Sequence, residues 1–362
     1  MAPYTAPSLN RTYISPVGGG LMKDISVVVC THRVERWPQL VDCLASLQSQ
    51  SLQPLEVIVV VDGVPELSRR LQERAGQEIT LSTTHPSGLS LARNLGLAHA
   101  SGKFVAFLDD DAVADESWLK GLRAVLEDET VAGVGGVSLP SWEGAQPKWM
   151  PEELLWTVGC SFRGMPVIQS DVRNVYGGSA CYRREIFAEF GGFNSRLGRM
   201  AVGLAGCEET ELCLRVRNLS PGLRFVHEPT AIIHHRVPRE RQKVSYVLSR
   251  CLGEGRSKAI LSTVIGSNGK RPLAREANFL VRTVPSGIAM DIAHFLRSDV
   301  WGLARALILV IAVMNTVAAY EATRIRDLLV RHLRGSSNGG EMAATWRKEA
   351  SALVSPDSRE DG

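Results

Sequence analysis

The sequence of 362 residues contains no Cys-x-x-Cys pair; its seven cysteines, Cys30, Cys43, Cys160, Cys181, Cys207, Cys213 and Cys251, are scattered and odd in number. That excludes zinc-finger spacing and a disulfide framework, and leaves reduced, mostly buried thiols as the expectation. No basic region leads into an apolar run between Met1 and Gly20, so no secretory signal is read there and the expected location is the cytoplasm. A long hydrophobic run is also missing. The uncharged stretch from Ala306 to Tyr320 has 15 residues, whereas a straight spanning helix needs about 20. There is no internal repeat, and the formal net charge of +3 is too small to mark a nucleic-acid partner.

The small net charge hides an asymmetry. Residues 236–334 hold 17 Lys or Arg against 7 Asp or Glu, a local +10, so the remainder carries −7. The basic part suits an anionic partner, either a membrane surface or a phosphorylated ligand. Arg305 precedes the apolar stretch and Arg324, Arg326, Arg331 and Arg334 follow it. Two readings stay open for that segment: a peripheral contact with the cytoplasmic face of a membrane, or a buried helix packing on the rest of the chain or in an oligomer of unspecified size.

Ile25 to Cys30 and Val57 to Val61 are β-branched runs of the kind that form strands buried on both faces. Leu40, Cys43, Leu44 and Leu47 recur at helical spacing between them. The alternation continues with a helix around Glu66 to Ala75, a short strand near Ile79, a helix from Ser90 to Ala100 and the strand Phe104 to Leu108. Such βαβ alternation predicts an α/β fold, an open and mostly parallel sheet flanked by helices. In open sheets of this kind ligands bind beyond the carboxyl ends of the strands. Thr31, Asp62 and Asp109 all fall at those ends.

Asp109, Asp110 and Asp111 directly follow five apolar residues, which packs three like charges at the mouth of a sheet. A divalent cation relieves that arrangement, and Mg²⁺ or Mn²⁺ is commonly held by one or two carboxylates together with substrate phosphates. The competing reading is a helix start, with Asp111 and Asp115 favouring the N-terminus of a helix at Glu116. Gly206 to Arg215 carries three more acids, Glu208, Glu209 and Glu211, at the beginning of a helix, where they either stabilise its N-terminus or serve as a base.

Four motifs carry a family resemblance: Ser26 to Arg33, Glu56 to Gly63, Gly88-Leu89-Ser90-Leu91-Ala92-Arg93-Asn94-Leu95-Gly96, and Gly102 to Asp111. In this order and spacing the chain resembles the GT-A glycosyltransferases of family 2, over about residues 24 to 260, and its downstream basic pattern is similar to that of bacterial, actinobacterial-type members. The resemblance implies a Rossmann-like nucleotide-binding domain and inverting transfer of a sugar from a nucleotide-diphosphate sugar, a UDP-sugar first, to a hydroxyl. The acceptor class it implies is a glycan, a lipid-linked sugar or a small molecule. Carried over, Thr31, Arg33 and Asp62 face the nucleotide, Arg93 the diphosphate, and Asp110 the ribose or sugar. Asp109 and Asp111 bracket the metal, with His235 completing its shell. Glu209 is the catalytic base, with Glu208 as runner-up. Gly177, Gly178 and Ser179 form a small-residue loop where donor and acceptor meet. Many relatives have Asp-Asp-Gly-Ser after the second strand where this chain has Val61-Asp62-Gly63-Val64, which weakens base recognition as a carry-over. The rivals are a sugar-nucleotidyltransferase, whose Gly-rich basic N-terminal signature is not visible, and an inactive binding or scaffold domain, which commonly loses the Asp-x-Asp or the base.

The expected organisation is an N-terminal extension over 1–23, a catalytic domain over 24–240, a helical and basic region over 241–334, and a flexible Gly/Ser/Asn-led tail over 335–362. Which sugar and which acceptor are used depends on loop shapes between Trp142 and Tyr182 that sequence does not specify.

Overall fold

The computed structural model describes residues 23–74, 76–195, 197, 206–265 and 273–333. The expected N-terminal extension, apart from Lys23, and the expected tail lie outside them. The first half alternates as expected: β1 (Ile25–Thr31), α1 (Trp37–Gln48), β2 (Glu56–Asp62), α2 (Pro65–Arg74), β3 (Ile79–Thr83), α3 (Leu89–His99), β4 (Phe104–Asp109), β5 (Ala112–Ala114) and α4 (Trp118–Val125). Then come β6 (Val131–Trp142), a 3-10 segment Glu152–Val158, β7 (Ser170–Val172), β8 (Ser179–Arg183), α5 (Arg184–Phe190), α6 (Glu208–Leu219) and β9 (Arg224–Val237). Everything described beyond Pro238 is helical: α7 (Val244–Ile265), α8 (Ala274–Asn278), a π-helical turn Phe279–Thr283, α9 (Val284–Leu296) and α10 (Trp301–Leu333), after a short 3-10 turn at Arg239–Gln242.

The nine strands among the described residues form one sheet, ordered β3-β2-β1-β4-β8-β6-β9-β5, with β7 also on β9. The β3-β2-β1-β4 half is parallel, whereas β8 runs antiparallel to both β4 and β6, and β5 antiparallel to β9. Parallel strands must be covered on both faces, and the alternation along each strand shows how. Val27, Val29, Val59, Val61, Phe104, Ala106 and Leu108 pack with Leu40 and Leu44 of α1 and with Trp118, Leu119 and Leu122 of α4. Val28, Ile58, Val60, Val105 and Phe107 pack on the other face with Ala92 of α3, Ile186 and Phe187 of α5, and Leu212, Cys213 and Val216 of α6. All seven cysteines are free and six are buried. Burial pushes the thiols of Cys30 and Cys213 up to about 12, which suits inert core residues.

Two of the strands that escape the sequence reading, β8 and β9, shape the sheet edge that carries the acids. Because β8 is antiparallel to β4, it begins where β4 ends, with Leu108 opposite Ser179, so the residues just before β8 arrive at the carboxyl edge of the sheet. The long β9 pairs Ala112 with His235, which brings His235 beside the acidic triplet from more than a hundred residues away.

The stretch around Ala306 to Tyr320 is corrected. It is the middle of α10, a helix of 33 residues, of which Trp301–Leu329 is long and apolar enough to cross a membrane. Arg305, read as a flank, lies within the helix and is neutralised by Asp291 at 2.6 Å and Asp299 at 2.7 Å.

A half-buried cluster fastens the helical part to the sheet. Glu276 accepts two bonds from Arg173, at 2.6 and 2.8 Å, and pairs with Lys258 at 2.8 Å. Burial alone would raise its pKa; the charges and hydrogen bonds of Lys258 and Arg173 outweigh that and hold it at about 2. The folded-state value lies below the unfolded one, so this stabilisation is present above about pH 4.5 and fades as pH falls towards 2. Glu276→Gln is expected to remove about 3 kcal/mol at neutral pH and to flatten the acid limb of stability between those values, as read by urea unfolding at a series of pH values.

Candidate active site

Thr31, Asp62 and the Asp109 to Asp111 triplet stand at the ends of adjacent strands, because the parallel register sets Cys30 opposite both Val60 and Asp109. Asp62 is committed to its own chain. It accepts bonds from the Thr83 hydroxyl at 2.8 Å, the Ser87 amide and hydroxyl, each at 2.7 Å, and the Gly88 amide at 2.9 Å. These bonds hold its pKa below the usual value against the opposing effect of burial, and they shape the turn that launches α3. Thr31 is buried beside Asp110, whose pKa its side chain helps to lower, while Arg33 lies exposed beyond it.

Within the triplet the three acids do different things. Asp109 is the partly exposed one. Asp110 is turned inward, 2% exposed, with one oxygen accepting from Arg36 at 2.6 Å. Burial lifts its pKa to about 6, with Arg36 pulling down and the neighbouring Asp111 pushing up. Asp111 meets three cationic groups, Arg36 at 3.1 Å, His235 at 3.2 Å and Arg241 at 3.3 Å, and they hold its carboxyl far below the ordinary range despite burial. Burial disfavours the His235 imidazolium, but the adjoining Asp111 and the Cys160 contact outweigh it and raise the pKa to about 10.

Asp109, Asp111 and His235 each offer one ligand atom, and these atoms lie within 4.8 Å of one another. Two carboxylate oxygens and an imidazole nitrogen, the latter once a metal displaces its proton, are a donor set that fits a divalent cation such as Mn²⁺ or Mg²⁺.

The second cluster faces this one across a single guanidinium. Arg93, 3% exposed, places Nη1 at 2.8 Å from Glu209 and 3.1 Å from Glu208, and Nη2 at 3.8 Å from Asp109. Phe107 and Phe193 flank it, their ring centroids at 5.9 and 5.5 Å. The resemblance assigned Arg93 to a diphosphate; in the chain itself it bridges the acidic triplet to the start of α6. There Cys207 adopts a left-handed conformation, φ 75°, and the first turn holds Glu208, Glu209 and Glu211 near the positive end of the helix.

Gly177 and Gly178 form the floor between the two clusters. A Cβ on Gly177 would lie 1.9 Å from a Glu209 oxygen and 2.6 Å from Arg93 Nη2; one on Gly178 would lie 2.7 Å from Asp109 Oδ2. Ser179 does not share that role. It is buried in β8, and its hydroxyl accepts the indole N–H of Trp118 at 2.9 Å. Gly177→Ala should therefore displace the ends of both Glu209 and Arg93 and loosen the bridge between them. The expected result is a lowered thermal midpoint together with transfer lowered about a hundredfold, the lower end of what a misplaced base costs, in a comparison of melting curves and turnover.

Sequence reasoning missed Arg36, which clamps both Asp110 and Asp111; it sits in the turn after β1, three residues past Arg33. Arg241 stands out in sequence only as part of a basic pattern, and the structure gives it to Asp111. Lys258 of the same pattern is paired with Glu254 and Glu276.

The glycosyl transferase family 2 model matches residues 26–191. A glucosyl-dolichyl phosphate glucuronosyltransferase of Haloferax volcanii is 32% identical over 241 residues, covering 66% of this chain and 77% of that protein. The succinoglycan biosynthesis protein ExoM of Rhizobium meliloti is 26% identical over 238 residues, 64% of this chain and 73% of that protein. Among solved structures, a mannosyltransferase from Pyrobaculum calidifontis in complex with GDP-Man and Mn²⁺ is similar at a TM-score of 0.49 and 19% identity, over 92% of this chain and 81% of that one.

Proposed function

The chain belongs to glycosyl transferase family 2, and from that premise we propose that it transfers a sugar from a nucleotide-diphosphate sugar, a UDP-sugar first, to an acceptor hydroxyl with inversion at the anomeric carbon. The observation that carries this reading is the Arg93 bridge, which sets a partly exposed Asp109 and the Glu209 carboxylate on either side of the Gly177-Gly178 floor. Asp109, Asp111 and His235 would hold a divalent cation, which when bound would supply charge neutralisation to the departing diphosphate.

The remaining work belongs to side chains. Arg36 and Arg241 keep Asp111 ionised and fixed in direction. Asp62 organises the turn beside the nucleotide end of the cleft. Glu209 accepts the proton of the acceptor hydroxyl while the oxygen bonds to the anomeric carbon and the bond to the diphosphate breaks, its electron pair leaving with the phosphate. Arg93 holds Glu209 ready, and Glu208 stands behind it. A lipid-linked or cell-envelope glycan is the acceptor class supported by the similar proteins, one named for glucosyl-dolichyl phosphate and one for succinoglycan biosynthesis.

Incubating the full chain with Mn²⁺ and a panel of nucleotide sugars should release nucleoside diphosphate from at least one of them, and Asp109→Asn should lower that release by about a hundredfold or more, the range of a lost metal-site interaction. Proton NMR of the transferred sugar reports the anomeric outcome. No release from any donor sinks the proposal, and retained configuration sinks the single-displacement mechanism.

A further inference from the structure

The helical part of the chain carries an apolar surface that the glycosyl-transfer chemistry does not use. Of the 25 exposed large hydrophobic side chains among the described residues, 16 lie between Leu280 and Leu329. Along α10 the exposed positions from Leu303 to Ala318 are Leu303, Leu307, Val310, Ile311, Met314, Val317 and Ala318, with no charge among them. Their spacing keeps them on one side of the helix, a stripe about 24 Å long at the usual rise per residue. Phe295, Leu296, Val300 and Trp301 continue it around the α9–α10 turn. An uninterrupted patch of this size is larger than a soluble surface normally shows.

The opposite side of α10 is closed to lipid. Leu309 and Ala312 pack into a core with Val247 and Cys251 of α7 and with Leu154 and Val158 of the 3-10 segment. At Gly255 the backbones of α7 and α10 touch so closely that a Cβ would meet the Thr316 carbonyl oxygen. Arg305 reaches the Lys148 carbonyl as well as its two aspartates. A helix fastened along one side to the body of the protein cannot be surrounded by acyl chains, although its length would suffice.

The rim of the apolar face is cationic beside α9. Arg282 and Arg297 are exposed, make no ion pair among the described residues, and flank α9 at its two ends, in the π-helical turn before it and directly after Leu296. Arg324 and Arg326 are exposed at the far end of the stripe, where Glu321 at 3.9 Å and Asp327 at 3.7 Å balance them. An apolar stripe with unpaired arginines beside α9 and a tryptophan at its turn matches an anionic membrane surface. A second copy of the same surface would instead bring like charges together.

We propose that the outer face of the α9–α10 hairpin lies in the plane of an anionic lipid leaflet, embedded to the depth of its apolar side chains without crossing. Phe279 stacks edge-on against Phe162, and Phe162 against Tyr176, next to the Gly177-Gly178 floor, so the leaflet lies on the acceptor side of the cleft.

The test uses the full chain purified without detergent and floated with phosphatidylcholine vesicles that contain or lack phosphatidylglycerol. The expected result is flotation with the anionic vesicles, reduced at least about tenfold by Val310→Glu with Met314→Glu and about tenfold or more by Arg282→Gln with Arg297→Gln. Both double variants should melt at the wild-type temperature and release nucleoside diphosphate at the wild-type rate. Absence of flotation, or flotation undiminished by the glutamates, overturns the proposal. So does a stable dimer by light scattering that the glutamates dissolve, which would assign the face to a second copy. Recovery of the chain only in detergent would show a crossing helix and overturn the in-plane placement. None of these outcomes depends on the identity of the sugar.

Discussion

Glu209→Gln is expected to leave donor binding within about twofold of wild type and to lower transfer by about a thousandfold, in the middle of the range contributed by general acid–base catalysis. The substitution keeps shape and hydrogen-bonding reach and removes only the capacity to take a proton. Arg93 still finds a carbonyl oxygen at the place of the carboxylate oxygen that lies 2.8 Å away, so the fold should tolerate the change. Calorimetric donor titration alongside a transfer assay separates the two quantities. Transfer at an undiminished rate removes Glu209 from the mechanism and moves attention to Glu208, which is 3% exposed and shares the same arginine.

Arg93→Met should have the largest effect on stability, about 3 to 5 kcal/mol, because it withdraws the cation from a buried site and leaves the carboxylates of Glu208 and Glu209 facing each other. Methionine roughly preserves the apolar stem between Phe107 and Phe193, so the loss would report charge and not volume. Urea unfolding measures it. Adding Glu208→Gln to the variant should recover part of the stability, since one of the two stranded charges is gone; the double-mutant cycle isolates that coupling. Equal losses with and without Glu208→Gln would mean that Arg93 acts through packing alone.

The parallel half of the sheet was legible because its signals are local. Ile25 to Cys30 and Val57 to Val61 are β-branched runs buried on both faces, and the helices between them repeat at 3.6 residues. The acidic triplet was legible for the same reason: a charged cluster directly after an apolar run has few structural explanations. The antiparallel half was not. The strand Ser179 to Arg183 mixes small, aromatic and basic residues, and nothing local says that it inserts between β4 and β6. Its arginine, Arg183, is buried and donates to the carbonyls of Val131, Leu126 and Asp128, a satisfaction visible only once the chain is folded.

The candidate site divides along the same line. Asp109, Asp111 and Glu209 stand out by sequence chemistry, whereas Arg36 and Arg241 acquire their meaning only from distances of 3.1 and 3.3 Å to Asp111. Thr83 at the end of β3 and Ser87 in the turn after it, which fix Asp62, are ordinary polar residues in sequence. The length of α10 was misjudged because charges were counted as ends. Arg305 is neutralised within the helical hairpin, so it does not interrupt the helix.

The most direct measurement is calorimetric titration of UDP, GDP and dTDP into the full chain, with Mn²⁺ present and then with EDTA. At least one nucleoside diphosphate should bind saturably with Mn²⁺, lose about a hundredfold or more in affinity with EDTA, and bind equally weakly to Asp109→Asn with Asp111→Asn under both conditions. Equal affinity in Mn²⁺ and EDTA, or binding by that double variant at the wild-type level, would contradict the assignment of the sheet edge as a metal-dependent donor site.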